Sequence, residues 1–260
     1  MISYLSRTAE ELLGIKTDSD DAEKLHAYLY KTYGTMDEEI IKKVFLSGEA
    51  ADFLTVSETY FFREPAHFMF LTTLLPSFEK TGLKICSAAT ATGCEAYSIA
   101  MVIEAYNNGR GTGNRLAYHI DAFDINPKVI ETACSGKYGG RSMREDGSCL
   151  HHMAEPYIKK LNDGKSAMQE YQVEASLGKN IRFFVHNIMN PLPSGGFDII
   201  FFRNAFIYFS PQNRERILSH LSAALKPGGI LFLGVSETAG AHHADFTGKN
   251  SGDVFYFIKQ

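Results

Sequence analysis

Four short stretches of this chain carry residue types that could do chemistry together. The first, Thr59-Tyr60-Phe61-Phe62-Arg63, sets an arginine beside three aromatics. Aromatics alone read as core, but a fixed guanidinium among them needs an anionic partner, which a ligand carboxylate would supply. The second runs from Ser87 through Ala88, Ala89, Thr90, Ala91 and Thr92 to Gly93, then Cys94 and Glu95. Every side chain from 87 to 93 is small, so a ligand could come close to the main chain. A turn that only packs a helix on a strand would read the same way. The third, Asp121-Ala122-Phe123-Asp124, ends an apolar segment on a carboxylate with two acceptor oxygens. The fourth, Arg203-Asn204-Ala205-Phe206-Ile207-Tyr208, puts polar groups just past another apolar run.

Of the dinucleotide fingerprint GxGxxG only Gly93 is present. A carboxylate at the end of a second strand can accept both ribose hydroxyls of an adenosyl group. Without the full phosphate-binding loop, that favours a nucleoside lacking a pyrophosphate, and S-adenosylmethionine (SAM) is the candidate. The other reading of Asp124 is a cap for the helix that begins at Pro127, and Asp124 stands two residues early for that.

These residues need a scaffold, and the pattern from Leu83 onward provides one. Apolar runs at 83–88, 116–123, 181–185, 197–202, 230–234 and 254–258 read as strands. Amphipathic segments at 97–106, from Pro127, and at 211–226 read as helices, the last stopped by Pro227-Gly228-Gly229. Near-continuous apolar strands alternating with helices mean an α/β fold, a doubly wound, mostly parallel sheet covered on both faces. In such sheets ligands sit at the carboxyl ends of the strands, where the second, third and fourth stretches fall. The final run, 254–258, is expected to be antiparallel.

Residues 1–54 read as a small N-terminal helical domain, with apolar spacing at Leu25, Tyr28, Leu29 and Ile40, Ile41, Val44, Phe45, broken at Gly34 and near Gly48. Residues 55–260 form the ligand-binding domain. Within it, about 137–180 is polar and glycine-punctuated, too long for a bare loop, and reads as an inserted subdomain. A helix at 150–161 and a small hairpin around Tyr171-Gln172-Val173 are expected there.

Composition excludes several classes. Of 260 residues 45% are hydrophobic and 22% charged, so the chain is neither disordered nor low-complexity. A net charge of −4 gives no basic footprint for nucleic acid. No apolar stretch is long enough to cross a membrane, and Arg7, Glu10 and Glu11 stand where a signal peptide would be apolar, so a cytoplasmic location is expected. Cys86, Cys94, Cys134 and Cys149 show no metal-ligand spacing, and adjacent histidines (His151-His152, His242-His243) point to different faces, so no metal site is expected.

Together the motifs resemble the CheR-type family, SAM-dependent methyltransferases that esterify glutamate side chains of bacterial chemoreceptors. The resemblance rests on Thr59 to Arg63, Ser87 to Ser98, Asp124-Ile125-Asn126, Gly136-Lys137-Tyr138, Phe183 to Asn187, Phe197 to Phe209 and Leu225 to Glu237, in that order. It covers roughly residues 50–260. It implies that Ser57, Thr59 and Arg63 meet the methionine end of SAM, with Gly93 in the cofactor turn. Glu95 would take the amino group and Asp124 the ribose; Asn187 and Ile188 would frame the adenine, and Asn204 and Ala205 would line the cofactor. Arg63 and Tyr208 would be the active-site pair, and S-adenosyl-L-homocysteine the product. The implied partner is a methyl-accepting chemotaxis receptor or a related signalling protein. Other readings are a SAM-binding sensor module without turnover, a methyltransferase acting on a non-receptor protein, and a small-molecule methyltransferase.

The chain departs from its relatives in places. Gly93-Cys94-Glu95-Ala96-Tyr97 replaces a motif with two acidic residues, Val235 stands where a histidine is usual, and the stretch matching an arginine-rich helix, 22–34, offers only Lys24 and Lys31.

Overall fold

The computed structural model describes residues 1–56, 58–111, 113–144, 149–162, 169–237 and 243–260. Four helices lead in: α1 (Ile2–Leu13), α2 (Ser19–Tyr33), α3 (Glu38–Leu46) and the single turn α4 (Ala51–Leu54). Asp18 caps α2 by accepting from the Asp21 N–H, and Gly34 ends it in the left-handed conformation. Then come α5 (Pro65–Leu74), β1 (Leu83–Ala88), α6 (Cys94–Asn108), β2 (Tyr118–Asp124) and α7 (Pro127–Ser135). Three short strands follow, β3 (Lys137–Gly139), β4 (Ile158–Lys160) and β5 (Glu170–Val173), then the turn α8 (Ala175–Gly178) and β6 (Ile181–Val185). The chain closes with β7 (Phe197–Phe202), α9 (Pro211–Ala224), β8 (Leu225–Leu233), β9 (Phe246–Ser251) and β10 (Val254–Lys259).

Seven strands form one sheet in the order β6-β2-β1-β7-β8-β10-β9. β6, β2, β1, β7 and β8 pair in parallel, while β10 pairs antiparallel with both β8 and β9. The doubly wound, mostly parallel sheet expected from the apolar runs is what forms.

Alternation along the central strands divides the core in two. Cys86, Ala88, Ile200, Phe202, Leu231 and Leu233 face the N-terminal helices and α9, sharing one cluster with Leu5, Leu25, Leu29 and Phe45. Ile85, Ile199, Phe201 and Phe232 face the other way, toward α5 and α6. The lead-in helices thus cover one face of the sheet that carries the ligand loops.

Three local expectations need correction. Residues 150–161 do not form a helix: a 3₁₀ turn at Cys149–Met153 gives way to β4. Pro156 explains it, since proline lacks the helical N–H and disfavours helix in the residue before it. The hairpin around 171–173 is a three-stranded sheet, β3-β5-β4. Helix α9 stops at Ala224, not 226, because Leu225 already pairs with Phe197 and the Lys259 ammonium donates to the Leu225 carbonyl at 2.9 Å.

Candidate functional site

The connections that leave β1 toward β2 and β6 and return to β7 put a topological switch point between β1 and β7, and a cleft opens there at the strand ends. Its walls include Thr59 and Arg63, Ala89 to Ala91, Glu95, Phe123 to Ile125, His186 to Ile188, and Arg203, Asn204, Ala205 and Tyr208. Thr59, Arg63, Glu95, Asp124, Asn187, Ile188, Asn204, Ala205 and Tyr208 are therefore together. Ser57 lies outside the described residues.

Gly93 is not in the cleft wall. At φ +84° it caps α6, and a Cβ there would stand 2.8 Å from the Ala133 Cβ and 3.0 Å from the Phe183 ring. Its bareness serves the packing of α6 against α7 and β6, the alternative that the small-residue turn left open.

Main-chain strain concentrates at this cleft. Among the described residues the non-glycine positions with φ near +50° to +60° are Phe62, Glu64, Ala89, Ala91 and Asn204. They lie in the Thr59–Arg63 motif and its successor, the β1–α6 turn, and the end of β7. Such conformations cost about 1–3 kcal/mol each and persist where surrounding contacts over-determine them. Here the contacts are visible: Thr90 N–H donates to Phe123 O at 2.9 Å, Ala91 N–H to Asp124 Oδ2 at 2.9 Å, and Asn204 Nδ2 to Glu64 Oε1 at 2.9 Å.

The charged centre is Arg203, buried above the Phe68 ring. Its Nη1 donates to Glu95 Oε2 at 3.1 Å and its Nη2 to Glu64 Oε2 at 3.0 Å and to the Arg63 carbonyl. Its Nε is buried and has no hydrogen-bond partner among the described residues. Burial opposes ionisation of Glu64, but Arg203 and the Asn204 amide outweigh it and hold that carboxyl below its usual range. For Glu95 burial wins and pushes the carboxyl up, against Arg203 and the Ser87 hydroxyl. His67, whose Nδ1 lies 3.5 Å from Glu64 Oε2, is pushed down to about 4 by burial and then by Arg203, so it is neutral near pH 7.

Asp124 is not the helix cap. Asn126 caps α7, accepting from Lys128 N–H at 2.9 Å. Asp124 instead takes one main-chain N–H on each oxygen, Ala91 at 2.9 Å and Asn126 at 3.0 Å. A carboxylate has about four lone-pair sites, so acceptor capacity for two hydroxyls remains. Burial pushes this carboxyl up as well. Asn187 has its amide committed elsewhere: Nδ2 donates to Leu12 O and Oδ1 accepts from Met189 N–H, each at 2.9 Å. It frames the cleft while tying α1 to it. The Tyr208 hydroxyl accepts from Val56 N–H at 2.9 Å and donates to Val56 O at 3.1 Å. Arg63 donates from Nη1 to the Glu58 carbonyl at 2.7 Å and has no carboxylate partner among the described residues.

Sequence reasoning left several of these residues without a role. Leu13 and Ile15 line the cleft from the end of α1, and Ile15 forms a bridge with Phe209, a contact with no local signal. His186, edge-on to Phe123, could have been suspected only from its place beside Asn187. Glu237 stands inside a recognised motif and Glu64 directly after one, yet Asn204 and Phe206 for the first and Arg203 for the second are distant in the chain.

The donor set suits a compact zwitterionic nucleoside. Glu95 is a largely buried carboxylate that a cation would help ionise, Arg63 is a guanidinium without a carboxylate partner among the described residues, and Asp124 keeps hydroxyl-acceptor capacity. Among the described residues no group of three His, Cys, Asp or Glu side chains could hold a metal ion. No described helix is long and apolar enough to cross a membrane.

Comparison with known proteins bears on this cleft. A family model described as CheR methyltransferase, SAM binding domain, matches residues 57–254. A chemotaxis protein methyltransferase of Listeria monocytogenes is 30% identical over 234 residues, covering 88% of this chain and 83% of the relative. One of Vibrio parahaemolyticus is 34% identical over 193 residues, 73% of this chain and 67% of the relative. A probable biofilm formation methyltransferase, WspC of Pseudomonas aeruginosa, is 32% identical over 196 residues, 72% of this chain and 43% of the relative.

Proposed function

The chain belongs to the CheR methyltransferase family and is a SAM-dependent methyltransferase, and we propose that it esterifies glutamate side chains of chemotaxis receptors in the cytoplasm. The observation that carries this reading is the cleft itself, which gathers Thr59, Arg63, Glu95, Asp124, Asn204 and Tyr208 at the ends of β1, β2 and β7. In this reading residues 1–54 act as a helical domain, 55–260 as the methyltransferase domain, and about 137–180 as an insert beside the site.

Bound SAM supplies a methyl group already activated by its sulfonium. A glutamate carboxylate, with an ordinary pKa of about 4.3, is ionised near pH 7, so no general base is required. The chain's work is to bind, align and exclude water. Asp124 would accept the ribose hydroxyls and Glu95 would face the ammonium. Asn187 and Ile188 would flank the adenine, Asn204 and Ala205 would close the wall, and Thr59 would meet the methionine end. Arg63 would hold a carboxylate, and Tyr208 would position a donor beside the reacting groups.

A second reading is methylation of a related signalling protein. One observation favours it: α2 carries Asp20, Asp21 and Glu23 against Lys24 and Lys31, and Lys24 is already paired with Asp21 at 2.7 Å, which leaves little basic surface to steer an acidic receptor helix.

Titration calorimetry with SAM and with S-adenosyl-L-homocysteine, followed by turnover on receptor-bearing membranes, tests the receptor reading against the others. Binding with receptor turnover supports the receptor methyltransferase. Binding without turnover on receptors contradicts it and favours another target.

A further inference from the structure

Glu237 belongs to the Leu225–Glu237 motif but has no assigned work. It is buried, with 6% of its surface exposed, at the end of the short turn that follows β8. That turn is closed by its own main chain, Glu237 N–H to Gly234 O at 2.9 Å. The carboxylate folds back and reaches across to the neighbouring strand end. Oε2 accepts from Gly234 N–H at 2.9 Å and from Asn204 N–H at 2.7 Å, and Oε1 accepts from Phe206 N–H at 2.7 Å.

Residues 204–208 are the segment that presents Asn204, Ala205 and Tyr208 to the cleft. Asn204 sits at φ +59° and Phe206–Tyr208 is a 3₁₀ turn. Neither conformation holds itself. The carbonyl side of the turn is restrained by Arg214, whose Nε donates to Phe206 O at 2.9 Å and Phe209 O at 3.1 Å. Glu237 restrains the N–H side. Gly234 makes the approach possible: a Cβ there would lie 2.7 Å from Glu237 Oε2, 2.7 Å from Asn204 Nδ2 and 2.9 Å from Asn204 N. Its φ is not in the left-handed region, so the constraint is space and not backbone conformation.

Resting on the methyltransferase reading of this cleft, we propose that Glu237 is a positioning residue for methyl transfer, fixing the 204–208 turn, and with it Tyr208, through two charge-assisted hydrogen bonds to the Asn204 and Phe206 N–H groups, while the third, from Gly234 N–H, anchors the carboxylate to its own turn, where Gly234 leaves room for the approach. Charge-assisted bonds to main-chain N–H groups are the strong kind, and two oxygens satisfying three donors hold a turn more rigidly than any single contact. Asp124 ends β2 and Glu95 stands in the first turn of α6, so releasing the turn should spare most of the cofactor affinity and fall on transfer.

The test uses the full chain. Glu237→Gln keeps the shape but loses the charge and must turn an amide N–H₂ toward a main-chain donor. It should lower kcat at least ten-fold while the SAM dissociation constant moves less than three-fold, and Gly234→Ala should give the same split. The chain has no tryptophan, so Ile207→Trp, at an exposed position in the turn, supplies a unique fluorophore. Its anisotropy should fall when Glu237→Gln is added. Unchanged kcat in both variants, or unchanged anisotropy on adding Glu237→Gln, overturns the proposal. If Glu237→Gln does not fold, Gly234→Ala with the same fluorophore decides in the same terms. The anisotropy needs no turnover, so a failure of the methyltransferase reading is seen separately, as a wild-type chain that holds the turn but transfers nothing.

Discussion

The guanidinium of Arg203 stands 3.1 Å from the carboxylate of Glu95, two groups 108 residues apart that meet, both largely out of water, in the wall of the cleft. Glu64 completes the cluster on the other guanidinium nitrogen. One cation thus compensates two largely buried carboxylates. Removing it strands both, which costs about 3–5 kcal/mol when a buried pair is broken from one side. Arg203→Ala should therefore lower the unfolding free energy in urea by that order. A loss below about 1 kcal/mol would show that the cluster is hydrated.

Asp124 and Asn126 separate binding from capping. Asp124→Ala should weaken SAM binding at least ten-fold by calorimetry, since charge-assisted hydrogen bonds to two hydroxyls are worth roughly 1.5–3 kcal/mol each. Asn126→Ala should leave the affinity alone and cost about 1 kcal/mol of stability, the ordinary loss for an N-cap. The reverse pattern would make Asp124 a structural residue.

Gly93→Ala is expected to act on stability. The φ of +84° and a Cβ only 2.8 Å from Ala133 give both strain and overlap, about 1–3 kcal/mol together. Thermal unfolding should show the loss, with the SAM affinity of the folded fraction within three-fold of wild type. A large affinity loss without destabilisation would put Gly93 back in the cofactor turn.

His67 makes a pH prediction. Its folded value, about 4, lies below the unfolded value near 6.5, so between those pH values the unfolded chain binds more protons. Its share of stability is present above pH 6.5 and is lost as pH falls toward 4, with a slope of at most about 1.4 kcal/mol per pH unit. His67→Gln should flatten that part of the stability profile relative to wild type. Parallel profiles would mean that the imidazole protonates freely in the fold.

The central strands were legible because a sheet covered on both faces writes itself as near-continuous apolar runs, as in Phe197–Phe202, where Asp198 is the one polar residue. Strand β9 was not: in Phe246–Ser251 all but the first residue are exposed at the sheet edge, and the string Thr247-Gly248-Lys249-Asn250-Ser251 has no apolar rhythm. Pro156 was the overlooked sign against a helix at 150–161. In the cleft, Glu95 and Asp124 could be read because the first follows β1 closely and the second ends β2. The Glu64–Arg203 pair, the Ile15–Phe209 bridge and the grip of Glu237 on residues 204–206 join segments far apart in sequence, and no local pattern announces such contacts.

Transfer of a methyl group to a carboxylate is the step on which every assigned role depends. The most direct test incubates the purified chain with SAM carrying a tritiated methyl group and with receptor-containing membranes, then scores label released by mild base. Base-labile label on the receptor that requires the chain, and that falls at least ten-fold with Arg63→Ala and with Tyr208→Phe, is the predicted result. A chain that binds SAM but yields no label, or only base-stable label, would contradict it.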